Sequence, residues 1–316
     1  MNCLVAGGAG FIGAHLCHRL LQDGYRVVCI DNFLTGTLDA VRPFISNKNF
    51  SYIVHDVTNP LPSGLQADAV FHLASPASPN QHSSISYHAF PMETMLANTR
   101  GTLNLLQFAK HCHAKFLFAS TSEVYGDPLE HPQIETYRGN VSTIGPRSVY
   151  DESKRFGETL TSYFWRDLRQ DTRIARIFNT YGPGMRKEDL RMVVSFITQA
   201  LRGDPITVFG DGKQTRSFCY VDDMIEGLMR LMFYTKTKGQ VVNLGTTQEH
   251  SVSEYATLIK QLTKSKSEIV FNEALPQDDP MKRKPDITKA KQLLSWKPMV
   301  GLEAGLQRTI DYFTKI

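Results

Sequence analysis

Residues 2–31 read NCLVAGGAGFIGAHLCHRLLQDGYRVVCID. Residues 2–6 suit a buried strand, and the glycines at 7, 10 and 13 follow at once. An amphipathic stretch with Leu16, Leu20 and Leu21 predicts a helix, and residues 26–30 predict a second strand ending at Asp31. Strand, glycine turn, helix, strand, acid is the order of a dinucleotide-binding βαβ unit. Gly7 permits the tight turn, Gly10 lets backbone approach a pyrophosphate, and Gly13 lets the helix pack closely. The pyrophosphate is expected at the helix N-terminus. Asp31 is expected to accept from the adenosine ribose 2′-hydroxyl, which favours NAD over NADP. A lone glycine pattern is weak; the complete unit is specific.

Outward from this unit, residues 50–54, 67–74, 115–119 and 173–178 read as further strands alternating with helical stretches. That alternation predicts an α/β fold, a Rossmann-type doubly wound parallel sheet over residues 1–178, with 206–248 returning to it in part. Residues 179–205 and 249–316 carry shorter, more mixed elements and are expected to form a smaller substrate-binding region over the carboxyl edge of the sheet. The candidate cofactor contacts are Gly7, Gly10, Phe11, Ile12, Gly13, Asp31, Asn32, Asp56, Val57, Leu73 and Ala74. Asp56 either meets the adenine amino group or caps local backbone.

The strand at 115–119 ends in Ser120-Thr121-Ser122-Glu123, and Tyr150-Asp-Glu-Ser-Lys154 follows some way on. Ligands of open α/β sheets sit outside the carboxyl ends of the strands, and residues at i and i+4 share a helix face. A hydroxyl, a carboxylate, a phenol and an ammonium are thus expected at one crevice. A free phenol titrates near 10, about three units too high for a base at neutral pH. An ammonium one turn away and a cationic nicotinamide are expected to lower it. Tyr150 can then take a hydroxyl proton while hydride leaves the same carbon, with Thr121 holding the oxygen. Alone, Tyr150 and Lys154 form an ordinary helix-surface pair; the strand ending in Ser-Thr-Ser-Glu sets them apart.

The chain has 316 residues, and 35 basic against 31 acidic residues leave a charge of +4. That balance is too mild to argue for nucleic acid. No apolar run approaches membrane-spanning length, and Met1 leads straight into the first strand with no room for a signal peptide. The five cysteines are scattered in apolar context. They read as reduced residues of a cytoplasmic protein, not as a disulfide frame or zinc site.

Six blocks carry a resemblance: HLASPASP at 72–79, STSEVYGDPLEHPQ at 120–133, GPRSVYDESKR at 145–155, ARIFNTYGP at 175–183, QTRSF at 214–218 and DDPMKRKPDI at 278–287. With the glycine turn, they resemble the extended short-chain dehydrogenase/reductase superfamily, and within it the UDP-glucuronate decarboxylases, also called UDP-xylose synthases. The resemblance implies catalytic roles for Thr121, Glu123, Tyr150, Lys154 and Arg283. It implies nucleotide-sugar contacts at Asn179 and, for the diphosphate, Arg216; Pro76, Ser78, Glu123, Arg191 and Arg283 complete the candidate substrate set. Pro285 disfavours helix around Arg283, consistent with a loop arginine over a cleft.

The implied reaction oxidises C4 of UDP-glucuronate with bound NAD, loses carbon dioxide from the 4-keto sugar and returns the hydride to give UDP-xylose. Glu123 is expected to relay a proton or to repel the substrate carboxylate, and Arg283 to act as a charged positioner. Related proteins commonly dimerise through two helices that here carry Met92, Met95 and Leu96, and Phe156, Leu160, Phe164 and Trp165; this implies a homodimer. Departures from the decarboxylase pattern are a longer loop at 75–90, Gly184 for a usual arginine, and Val194-Ser195 for Ser-Asn. All are expected near the sugar-nucleotide pocket.

Rival readings differ at named residues. A 4,6-dehydratase normally shows Thr-Asp-Glu, and Ser122 stands at the aspartate's place. A hexose 4-epimerase usually has small residues instead of Glu123. A UDP-glucuronate 4-epimerase shares the first oxidation and stays open. A non-catalytic NAD-sensing protein predicts a broken tyrosine–lysine pair, and both residues are present.

Overall fold

A computed structural model describes residues 1–275 and 279–316. Seven strands form one parallel sheet: β1 (Asn2–Ala6), β2 (Arg26–Asp31), β3 (Phe50–Val54), β4 (Ala69–His72), β5 (Lys115–Thr121), β6 (Thr172–Ile177) and β7 (Val241–Leu244). Their order across the sheet is β7-β6-β5-β4-β1-β2-β3. The direction of winding reverses between β1 and β4, which opens a crevice at their carboxyl ends.

Alternation along β1 shows why the sheet is covered on both faces. Cys3 and Val5 pack with Leu16 and Leu20 of the helix Phe11–Gln22. Leu4 and Ala6 point the other way, to Leu105 and Leu106 of the helix Thr102–His111. Cys3, Cys17, Cys29 and Cys219 are buried, Cys112 is partly so, and all five are free thiols.

Strands predicted for 2–6 and 50–54 have those bounds. The strand predicted for 115–119 runs on to Thr121, because Ser120 and Thr121 pair with Arg176 and Ile177. Thr121 is thereby fixed by the sheet rather than by a loop. The strand predicted for 67–74 is shorter; its last ladder contact is the Leu73 amide to the Ala6 carbonyl at 2.8 Å. The helix expected after residue 90 is split by a π turn at Ala97–Gly101. There the Thr102 hydroxyl donates to the Asn98 carbonyl at 2.6 Å, and the Asn98 amide reaches Ser153 Oγ at 3.0 Å.

Of residues 206–248, only β7 joins the large sheet. Ile206–Phe209 instead pairs with Ile269–Glu273. A small sheet centres on Thr215–Arg216, flanked by His250–Ser251 and by Lys282–Arg283. Arg283 therefore sits on a two-residue strand and is buried, which corrects the expectation of a loop arginine over a cleft. Asp278, in the last of the six sequence blocks, lies outside the described residues.

The fit of the first helix to β1 sets a test. A Cβ at Gly13 would lie 2.0 Å from the Gly7 carbonyl oxygen and 2.8 Å from Gly8 Cα. Gly13→Ala must push the helix off the turn, and we expect a loss of about 1–3 kcal/mol in urea unfolding.

Candidate active site

The crevice at the switch point has two ends. One is lined by Gly7, Gly10, Asp31, Asn32, Asp56, Val57, Leu73, Ala74 and Pro76. The other is lined by Gly7, Gly10, Phe11, Ile12, Gly13, Leu73, Ser78, Thr121, Glu123, Tyr150, Lys154, Asn179 and Arg191. Gly7 is held at φ 81°, and a Cβ there would lie 2.6 Å from the Ala74 amide nitrogen. The helix Phe11–Gln22 begins at Gly10 with no side-chain cap and no acid in its first turn. Its first amides are thus left for an anion beside a glycine cradle, which fits a dinucleotide pyrophosphate. Asp31 closes the turn as well: its carboxylate accepts from Ala9 N at 2.9 Å and Phe33 N at 2.8 Å. Burial pushes the Asp31 carboxyl up, and those two bonds hold it down. Asp56 accepts from Thr58 N at 2.8 Å and Asn32 Nδ2 at 3.1 Å, so it does cap local backbone.

At the other end, Thr121, Tyr150 and Lys154 come together as the spacing predicts. Tyr150 is buried and its ring stacks on Tyr87, with centroids 4.9 Å apart and planes at 7°. The Lys154 ammonium donates to the Ala119 carbonyl at 2.9 Å and lies 5.7 Å from the Tyr150 ring centroid. The chain's own groups act on the phenol in both directions. Burial and the charge of Glu123 push the Tyr150 phenol up; the Thr121 hydrogen bond and the charge of Arg191 oppose this. Burial lowers Lys154 to about 7, with Glu158 opposing. The lysine cannot both surrender its charge and acidify the phenol. On balance the chain's own groups raise the phenol, so lowering it falls to the cationic nicotinamide expected beside it.

Glu123 is caged. Arg283 engages both of its oxygens, Nη1 with Oε1 and Nη2 with Oε2 at 3.0 Å. Arg147 Nη2 reaches Oε2 at 2.5 Å. Arg147 also pairs with Asp279 at 3.0 Å, and Asp279 with Arg216 at 2.7 Å. Burial opposes ionisation of Glu123, but the charges and hydrogen bonds of Arg147 and Arg283 outweigh it and hold the carboxyl near 2. Glu123 is thus not the free, repelling anion expected from the sequence. Arg216 and Arg283 stand behind it, bound to carboxylates. Next to Tyr150, Asp151 is raised to about 8 by burial and by Glu123, with Arg147 and Arg283 opposing.

The long loop at 75–90 is tied to the turn at 188–190. Ser83 Oγ donates to the Glu188 carbonyl at 2.5 Å, Ser78 Oγ to that of Asp189 at 2.8 Å, and Asn80 Nδ2 to that of Leu190 at 2.7 Å. The turn presents Asp189 and Arg191, paired at 3.0 Å, to the cleft. Pro76 falls at the Asp31 end rather than with the sugar-site residues. Gly184 lies in a separate groove, where a Cβ would be 3.5 Å from His15 Nε2. Val194 is core, and Ser195 donates to the Leu190 carbonyl at 3.0 Å. These three positions therefore do not line the cleft.

A family model described as NAD dependent epimerase/dehydratase family matches residues 3–245. The chain belongs to that family. NAD is its cofactor, and the glycine cradle and uncapped helix are where this family member offers it room. Among curated relatives, UDP-glucuronic acid decarboxylase 1 of Xenopus tropicalis is 51% identical over 313 residues, covering 99% of this chain and 72% of that protein. UDP-glucuronic acid decarboxylase 2 of Arabidopsis thaliana is 50% identical over 316 residues, covering 99% and 68%. Among solved structures, the UDP-glucuronic acid 4-epimerase of Bacillus cereus in complex with UDP-glucuronic acid and NAD superposes with a TM-score of 0.88 at 32% identity, covering 100% of this chain and 99% of that one.

Sequence reasoning missed three residues in this family member's site. Arg147 stands inside GPRSVYDESKR, and its place three residues before Tyr150 was the available signal. Tyr87 was hidden in the polar loop, and Asp279 in a charged run. Removing one partner of a buried ion pair costs about 3–5 kcal/mol. Glu123→Gln should destabilise by that order at neutral pH. The Glu123 carboxyl is depressed from 4.5 to about 2, so its contribution is full above 4.5 and fades as pH falls through 2. Urea unfolding of both proteins should therefore converge between those pH values.

Proposed function

We propose that the chain converts UDP-glucuronate to UDP-xylose and carbon dioxide. The observation that carries this reading is the caging of Glu123 by Arg147 and Arg283 next to Thr121 and Tyr150. A 4-keto glucuronate loses carbon dioxide when its C5–C6 bond stands perpendicular to the ketone plane. Cations that pin the carboxylate in that plane prevent the loss. Here Arg147 and Arg283 are already engaged by Glu123 and are not free to pin the substrate carboxylate in that plane. The relatives at 51% and 50% identity, both UDP-glucuronic acid decarboxylases, support the same outcome.

Bound NAD would supply a hydride acceptor and donor for C4 and a positive charge that favours the Tyr150 phenolate. The remaining work falls to the chain's own residues. As the phenolate, Tyr150 takes the C4 hydroxyl proton, and the Thr121 hydroxyl holds that oxygen. The electrons of the breaking C5–C6 bond pass into the C4 carbonyl and carbon dioxide leaves; C5 then takes a proton from solvent, and Tyr150 gives its proton back to the C4 oxygen as the ketone is reduced. Arg191, Ser78 and Asn179 line the path for the nucleotide sugar. Arg283, with its charge turned to Glu123, orients the reacting end and is a poor proton donor.

Purified protein given UDP-glucuronate should release carbon dioxide and yield a pentose nucleotide by NMR. UDP-galacturonate with all six sugar carbons would instead make the chain a 4-epimerase, the activity named for the Bacillus cereus neighbour. Tyr150→Phe should cut turnover by about a hundredfold or more while UDP and NAD binding change little.

Two further features belong to this reading. All five cysteines are free, which suits a reducing cytoplasm; no helix among the described residues is long and apolar enough to cross a membrane. Met92, Leu96, Phe156 and Tyr163 are exposed apolar residues on the helices Pro91–Leu96 and Ser148–Arg166. We assign this face to a homodimer contact. Sedimentation should show a dimer, and Phe156→Asp with Met92→Lys should give a monomer.

A further inference from the structure

We propose that Gln133 is the positioning residue that holds Arg283 against Glu123. The inference rests on the reaction proposed above, in which Arg283 orients the reacting end. Arg283 lies on a strand of two residues, too short to place its own side chain. On one side that strand pairs with Thr215–Arg216. On the other side Gln133 takes the place of a neighbouring strand.

Gln133 is polar yet fully buried, and each of its polar groups is bound. Its amide donates to the Lys284 carbonyl at 2.9 Å, and its side-chain oxygen accepts from the Lys284 amide at 2.9 Å. Both backbone groups of the residue after Arg283 are therefore gripped by one glutamine. Its carbonyl accepts from the Asp286 amide at 2.8 Å and from Asn243 Nδ2 at 3.0 Å. Its side-chain nitrogen donates to the Glu130 carbonyl at 2.8 Å, which fixes the rotamer.

The grip is anchored in the large sheet. Asn243 is on β7 and accepts from the Tyr125 hydroxyl at 2.8 Å. Tyr125 in turn accepts from Arg176 at 2.9 Å; Arg176 pairs with Glu158, to which Ser120 Oγ donates at 2.6 Å. A continuous polar chain thus runs from Ser120, one residue before Thr121, to Lys284, one residue after Arg283. The strand that sets Thr121 also sets, through this chain, the depth of the arginine. Gln133 itself does not line the cleft.

The test is a double-mutant cycle in single turnover, reading reduced cofactor and carbon dioxide separately. Gln133→Met keeps the length and removes donor and acceptor. It should slow carbon dioxide release about tenfold to a hundredfold, the cost of misplacing a group by an ångström, while C4 oxidation and substrate affinity change much less. Added to Arg283→Ala, it should have no further effect, because it acts through that arginine. The proposal is overturned if the two effects multiply, or if Gln133→Met slows oxidation and decarboxylation equally. If Gln133→Met does not fold, Gln133→Glu takes its place in the cycle; it keeps an oxygen for the Lys284 amide, and the same two outcomes decide. A wild type that releases no carbon dioxide would overturn the proposed reaction instead, and the cycle then reads Gln133 against Arg283 on the product that does form.

Discussion

The rest of the site depends on one buried carboxylate. Glu123 can be ionised in the interior only because Arg147 and Arg283 surround it, one from the segment before the Ser148–Arg166 helix and one from far along the chain. Burying such a charge costs several kcal/mol, recovered only when the pairing is complete. The pairing is what binds three distant stretches into one wall. Asp279 extends it to Arg216, so a second carboxylate meets the surplus cation at the back of the site.

Against this charged wall stands a pair whose charges are suppressed. Tyr150 and Lys154 are both buried, and burial favours the neutral form of each. The cage keeps its ions because they face each other, whereas in the pair burial weighs against each charge. The Lys154 ammonium spends its hydrogen bond on the Ala119 carbonyl, at the strand end that carries Thr121. It orders the strand end even where it does not acidify the phenol.

Much of this was legible in the sequence. The glycine turn, Asp31 and the alternation of strands and helices gave the sheet, because local period and turn chemistry act over a few residues. Thr121, Tyr150 and Lys154 could be brought together because a strand end and a helix face are themselves periodic. The cage was not legible: Glu123 and Arg283 are 160 residues apart, and no local pattern says which of many arginines meets a given acid. The burial that raises the Tyr150 phenol was not legible for a related reason. Sequence shows the neighbours along a helix, whereas burial depends on Tyr87 and everything else stacked above it. Gly184 was expected near the sugar with the other departures, yet it lines a groove beside the first helix.

The ties between the 75–90 loop and the 188–190 turn have a consequence for anyone who would transplant either segment. Three side chains meet three successive carbonyls, so neither segment carries its own hydrogen-bond complement. Grafted alone onto a related scaffold, the loop would bring donors with no acceptors, and the turn would lose the partner of its buried Asp189 carbonyl, at about 1–3 kcal/mol for each buried group left unmatched. The longer loop and the 188–190 turn are physically one module. A chimaera that swaps both together keeps Arg191 over the cleft, and one that swaps either alone lets it drift.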